Sequence, residues 1–182
     1  STERLSQRTL PASSSVVKRK LRARSIRNSS TPAAIPKTNP ELVAARSAVI
    51  VDLDGTLAHM GDRHPFATTG YHLDTPNHPV IEVVRALHAA GHTVIIVSGR
   101  KDLSRAETEQ WLAEHLPVPH DALHLRPDDD DRSDGIVKRE IYERDIAPFY
   151  DVLCVLDDRN HVVDMWRDEL HLTCLQVAPG DF

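Results

Sequence analysis

Asp52 and Asp54 stand two residues apart at the end of the apolar run Ala48–Val51, in the string Asp52-Leu53-Asp54-Gly55-Thr56. Carboxylates at that spacing on a strand end can point to one side. Two further strings end apolar runs in the same way: Ser98-Gly99-Arg100 after Thr93–Val97, and Asp157-Asp158-Arg159 after Val152–Leu156. Lys138 opens the segment before the last of these. If the three runs are neighbouring strands, up to four carboxylates converge, and like charges that close repel unless a cation sits among them. Oxygen-only ligands suit a hard divalent ion, Mg²⁺. The chemistry expected of such a set is displacement at an anionic centre, with carboxylates as nucleophile and proton carrier.

The elements that must position these residues follow from the hydrophobic pattern. Strands are expected over 48–52, 93–97, 122–125, 152–156 and 172–177, and helices over 79–90, 105–115, 136–144 and 162–168. Asn77 is a candidate cap and Gly91 a terminator for the first helix. Strand and helix alternate at βα spacing, so the fold class is α/β, a Rossmann-like parallel sheet with helices on both faces. In such a sheet the ligand crevice lies beyond the carboxyl ends of the strands, where the polar strings fall.

Residues 1–46 differ in kind. They hold ten Lys/Arg against two Glu, a net +8, and since the chain carries −5 the remainder is at −13. Rich in Ser, Arg and Pro with no sustained period, they are expected to be a disordered basic tail or linker, with residues 47–182 as the domain. A solvated linker, an electrostatic arm for nucleic acid and a remnant of a longer polypeptide all fit the basic run KRKLRAR. No apolar run is long enough to span a bilayer and no secretory signal opens the chain, so a cytoplasmic protein is expected. Cys154 and Cys174 each lie in an apolar stretch and read as buried free thiols, a single disulfide being the alternative. Six of the eleven histidines fall between His59 and His92 without the spacing of a zinc site. Trp111 and Trp166 are expected in the core rather than as stacking platforms for bases.

DLDGT after a strand, a Ser after the second, a Lys, then paired Asp after the fourth resembles the haloacid dehalogenase superfamily over Ser47 to the C-terminus. The resemblance implies that Asp52 attacks phosphorus and that Asp54 serves as acid and base. It also implies Mg²⁺ held by Asp52, the Asp54 backbone carbonyl, Asp157 and Asp158, with Thr56, Ser98 and Lys138 donating to phosphoryl oxygens. DLDGTLAHMGDR, VSGR, LDDRNHVVDMWR and QVAPGDF further resemble the phosphatase domain of the bacteriophage polynucleotide kinase-phosphatases. These remove 3′-phosphates and open 2′,3′-cyclic phosphates at nucleic-acid ends. That likeness implies roles for Arg63, Arg100 and Asp134, and less definite ones for Arg126 and Arg159. A surface salt bridge is the plainer reading of each arginine, and a helix N-cap that of Asp134.

The seven glycines do not form a GxxxxGK[ST] loop, so the kinase half is absent and the chain reads as a phosphatase alone, free-standing or part of a longer protein. The spans from Asp54 to Ser98 and from Ser98 to Lys138 leave no room for a large cap, and an open crevice suits the end of a polymer. The acidic run Asp128–Asp131 departs from the family pattern and opposes binding of a phosphate polymer. The expected activity is therefore a Mg²⁺-dependent polynucleotide 3′-phosphatase on RNA or DNA ends, compatible with a kinase or ligase partner. A nucleotide or sugar-phosphate monophosphatase on the same fold is the alternative, and a non-catalytic end-binding module a third reading.

Overall fold

The computed structural model describes residues 45–181 except 62, 65 and 66. The basic segment of the sequence up to residue 44 lies outside them.

β1 (Arg46–Val51) is buried over Ala48–Val51, where the β-branched residues Val49, Ile50 and Val51 lie, and a short antiparallel ribbon of β2 (Ala58–His59) and β3 (Thr75–Pro76) follows it. Then come α1 (His78–Ala89), β4 (Thr93–Lys101), α2 (Arg105–His115), β5 (Ala122–Arg126), α3 (Asp134–Ile141), β6 (Tyr150–Arg159), α4 (Asn160–Asp164) and β7 (Cys174–Gly180). The five long strands pair in parallel in the order β5-β4-β1-β6-β7. The chain winds outward from β1 through β4 to β5, then crosses back to β6 on the other side of β1. That reversal opens a crevice at the carboxyl ends of β1, β4 and β6.

Side chains alternate across the sheet. Val49, Val51, Val94 and Ile96 pack under α1 and α2 with Val84, Trp111 and Leu112. Ile50, Ile95, Val97 and Val155 pack on the opposite face with Val137, Ile141, Val163 and Trp166. Both tryptophans are core residues, and Cys154 and Cys174 are buried free thiols. Among the described residues no helix is long and apolar enough to cross a membrane.

The element bounds depart from expectation where local geometry is irregular. β4 runs on to Lys101, so Ser98, Gly99 and Arg100 belong to the strand, whose pairing with β5 shifts register between Val97 and Lys101. α3 and α4 start two residues earlier than the apolar pattern suggests, and each runs on into a π-type turn, Tyr142–Ile146 and Met165–Glu169. Asn77 holds the N-cap position of α1, but its side chain makes no cap bond. Its Nδ2 instead donates to the Thr56 carbonyl at 2.9 Å, tying α1 to the loop that follows Asp54. Gly91, at φ 98°, ends that helix as expected.

Candidate active site

The floor of the crevice is made by strand ends. Asp52 follows β1, its backbone N–H donating to Leu156 O at 3.0 Å, which continues the ladder and aims the side chain at the end of β6. Side-chain oxygens of Asp52, Asp157 and Asp158 all come within 4.8 Å of one another, and all three residues are buried. Lys138, on α3 and 3% exposed, donates to Asp52 Oδ1 and Asp157 Oδ2 at 2.8 Å each. Trp166 Nε1 also donates to Asp157 Oδ2, at 3.2 Å. Only glycine fits at position 55, where φ is 88° and a Cβ would stand 2.1 Å from Asp158 Oδ2.

Three buried carboxylates against one ammonium leave the cluster short of positive charge. Burial pushes the Asp52 carboxyl well above its usual range, with Asp157 and Asp158 adding to the push and Lys138 opposing it. Burial and then the Asp157 charge raise Asp158 to about 6. Lys138 is pulled down by burial, but Asp157 and Asp52 outweigh this and keep it an ammonium. A hard divalent cation such as Mg²⁺ fits the donor set and its charge.

This predicts a pH-dependent response to metal. Between 3.8 and about 6 the folded state holds the Asp158 proton more tightly than the unfolded chain, so that group's contribution to stability falls as pH rises through this window. The cation needs the ionised form, so Mg²⁺ should raise the melting temperature clearly at pH 7.5 and far less at pH 5. Equal rises at both values would remove these carboxylates from the metal site.

A second cluster surrounds Asp54. Its carboxylate accepts from Arg63 Nη2 at 2.7 Å and from Arg100 Nη2 and Nε at 2.7 and 2.9 Å. Behind the arginines, buried Asp74 accepts from Arg63 Nε and Nη2 at 3.1 and 2.8 Å and from Arg100 Nη2 at 3.0 Å. Tyr71 lies against both guanidinium groups, 4.2 Å from that of Arg63 and 3.9 Å from that of Arg100. Burial alone would raise the Asp54 carboxyl, but Arg100 and then Arg63 outweigh it and hold the group below its usual range. Among the described residues, Arg63 Nη1 is buried without a hydrogen-bond partner.

The third cluster is a wall. Arg126 Nε donates to Gly99 O at 3.0 Å, and its Nη1 donates to the carbonyls of Asp130 and Arg132. Asp134 bridges Arg126 and Arg159. The N-cap reading of Asp134 is corrected: Ser133 holds that position, and Asp134 is the first helical residue, its side chain turned to the two arginines. The neighbouring acidic run is partly engaged within the fold. Asp128 Oδ1 accepts from Leu103 N at 2.7 Å, Asp131 pairs with Lys101 at 2.7 Å, and Asp130 pairs with Arg132 at 2.7 Å.

These clusters face a cavity of about 760 Å³ lined by Asp52, Asp54, Ser98, Arg100, Lys138 and Asp158 together with Arg126, Asp134 and Arg159. Thr56, Arg63 and Asp157 stand behind the lining. Thr56, expected to touch substrate, is fully buried and turns its hydroxyl to Asp158 Oδ1 at 3.5 Å. Sequence reasoning missed Asp74 and Tyr71. Neither belongs to a motif or a periodic run, and a buried acid between two arginines is visible only in three dimensions.

A parallel sheet of this order, with the DxD string after its central strand and Lys138 and the paired aspartates converging on it, defines a phosphatase of the haloacid dehalogenase type. The family model of the polynucleotide kinase PNKP phosphatase domain matches residues 46–182, and the chain belongs to that family. It is 35% identical over 124 residues, 66% of this chain, to a protein of Autographa californica nuclear polyhedrosis virus designated a bifunctional polynucleotide kinase/RNA ligase. Two solved structures, of the Pnkp1/Rnl/Hen1 complex and of the Pnkp1/Rnl/Hen1 RNA repair complex, contain chains 42% identical to it, each with a TM-score of 0.74 over 77% of this chain. This chain covers 48% and 45% of those two chains and 18% of the viral protein.

Proposed function

We propose that this chain is a Mg²⁺-dependent polynucleotide 3′-phosphatase, removing the 3′-phosphate of RNA or DNA ends, with 2′,3′-cyclic phosphate as a second substrate class. The observation that carries the proposal is the convergence on one cavity of Asp52, Lys138 and the paired aspartates with the arginine-ringed Asp54, in a chain of the polynucleotide kinase phosphatase family.

In this reading an Asp52 oxygen attacks phosphorus in line with the departing 3′-oxygen, forming an aspartyl-phosphate. Ser98 and Lys138 donate to the phosphoryl oxygens. Asp54 gives its proton to the leaving oxygen, then takes one from the water that cleaves the acyl-phosphate. Held between two arginines, Asp54 is kept ionised and has no proton to give, so the incoming phosphate must first draw guanidinium donors, Arg100 above all, away from it and let it take a proton from solvent. Arg126 and Arg159, paired with Asp134, would contact the rest of the strand. Mg²⁺, held by Asp52, the Asp54 carbonyl, Asp157 and Asp158, would neutralise charge between nucleophile and phosphate.

The relatives' setting, a kinase/RNA ligase and an RNA repair complex, favours RNA ends and a kinase or ligase as partner class. The basic segment before β1, residues 1–45, is proposed as a linker or an electrostatic arm for the strand, Arg46 itself belonging to β1. A small-molecule phosphomonoesterase is favoured by one observation: about 760 Å³ lies within the roughly 300–1,000 Å³ of small-ligand sites. Phosphate release from 3′- and 5′-phosphorylated forms of one oligonucleotide tests the end specificity. The 3′ form should be hydrolysed at least about tenfold faster, a difference of roughly 1.4 kcal/mol in transition-state binding. Equal rates would defeat it.

A further inference from the structure

Glu107 lies on α2, outside the cavity lining, and belongs to none of the motifs that carry the chemistry. Its Oε1 accepts from the backbone N–H groups of Gly70 at 3.1 Å and His72 at 3.2 Å, and pairs with His72 Nδ1 at 2.8 Å. One carboxylate oxygen thus grips the residues on both sides of Tyr71, the ring against which Arg63 and Arg100 lie. The turn Tyr71–Leu73 is short and mostly exposed. Leu73 is 69% exposed, Tyr71 is its one buried side chain, and Gly70 enters it at φ 89°. The same face of α2 supplies two companion contacts: Trp111 Nε1 donates to Asp74 O at 3.0 Å, and Thr108 Oγ1 accepts from Arg100 Nη1 at 3.3 Å.

We propose that Glu107 is a positioning residue for the phosphatase reaction, latching the Gly70–His72 backbone to α2 so that the Tyr71 ring sets the direction of Arg63 and Arg100. The inference rests on the reading above that these arginines take the substrate phosphate. Loss of the latch leaves the Trp111 anchor and the Tyr71 hydroxyl bond to Ala67 O at 2.9 Å, so the turn stays folded but its ring is less well placed.

The test is kcat/KM on a 3′-phosphorylated oligonucleotide, with melting temperature, for Glu107→Ala and Glu107→Gln in the wild-type and Tyr71→Leu backgrounds. Glu107→Ala should lower kcat/KM about tenfold with a small change in melting temperature. Glu107→Gln keeps an acceptor oxygen for the two backbone donors and should return to within about threefold of wild type. In the Tyr71→Leu background, where there is no ring to place, Glu107→Ala should cost less than about twofold further, because residues acting through one another are not additive. If Tyr71→Leu melts too low to assay, Tyr71→Met, which also lacks the ring, provides the second background with the same expectation. An inert Glu107→Ala, a Gln variant as impaired as the Ala variant, or an undiminished loss in the second background would each overturn the latch. Arg63→Lys and Arg100→Lys both at wild-type kcat/KM would show the arginines unused, overturning the parent reading and the latch together. Impaired arginine variants beside an inert Glu107→Ala would overturn the latch alone.

Discussion

Asp52→Asn will abolish turnover, by on the order of 10⁴-fold or more in kcat, while the protein melts at the same temperature or higher. The first half follows from the nucleophile: an amide oxygen does not form an acyl-phosphate, and the other carboxylates do not stand in for it. Asp157 is occupied by Lys138 and Trp166, and Asp54 by two arginines. The second half follows from electrostatics. Burial raises the Asp52 carboxyl well above its usual range, so its ionised form opposes folding at neutral pH, and the neutral isostere relieves that opposition. Lys138 keeps its bond to Asp157, so the ammonium is not stranded. A variant holding a tenth of wild-type kcat would show that Asp52 is not the nucleophile, and a collapsed melting temperature would show that its loss acts through folding.

Thorough chelation with EDTA will silence the enzyme, and added Mg²⁺ will restore it. Asp52, Asp157 and Asp158 share one small volume with one lysine as counter-charge, and a phosphate dianion must enter the same space. Lys138 is already committed to two of the carboxylates, so little positive charge remains to offset the approach of nucleophile to phosphate. Repulsion between unit charges about 4 Å apart is roughly 4 kcal/mol at an effective dielectric of 20, about a thousandfold in rate. Activity left intact after chelation would take the cation out of the account.

The residues that the sequence made legible are those tied to a regular element. Asp52, Ser98 and Asp157 each close an apolar run, and such runs in a parallel sheet leave their carboxyl ends in one crevice. Lys138 was legible as the cation of a helix leading into β6. The residues not legible are those placed by tertiary contact alone. Asp74 and Tyr71 sit between the ribbon strands β2 and β3, where no period marks burial. Glu107 was hidden for a related reason: α2 has a weak apolar stripe because part of its inward face is polar, with buried Thr108 meeting Arg100 and Glu107 meeting the turn. The acidic run 128–131 shows how composition omits partners. Its composition argues against a polyanion, yet Lys101, Arg132 and the Leu103 amide engage its carboxylates.

A phosphatase that reads a nucleic-acid end, and not merely a phosphate, gains from the strand beyond the terminal phosphate. The most direct test is the ratio of kcat/KM for a 3′-phosphorylated oligonucleotide to that for the matching free nucleoside 3′-monophosphate. Arg126 and Arg159 line the cavity, and Asp134 pairs with both. A charge-assisted contact to one further phosphate contributes on the order of 1.5–3 kcal/mol. The account therefore predicts a ratio of about ten or more, shrinking as salt screens the contact. A ratio near one at low salt would contradict it and give the site to a small-molecule phosphomonoesterase.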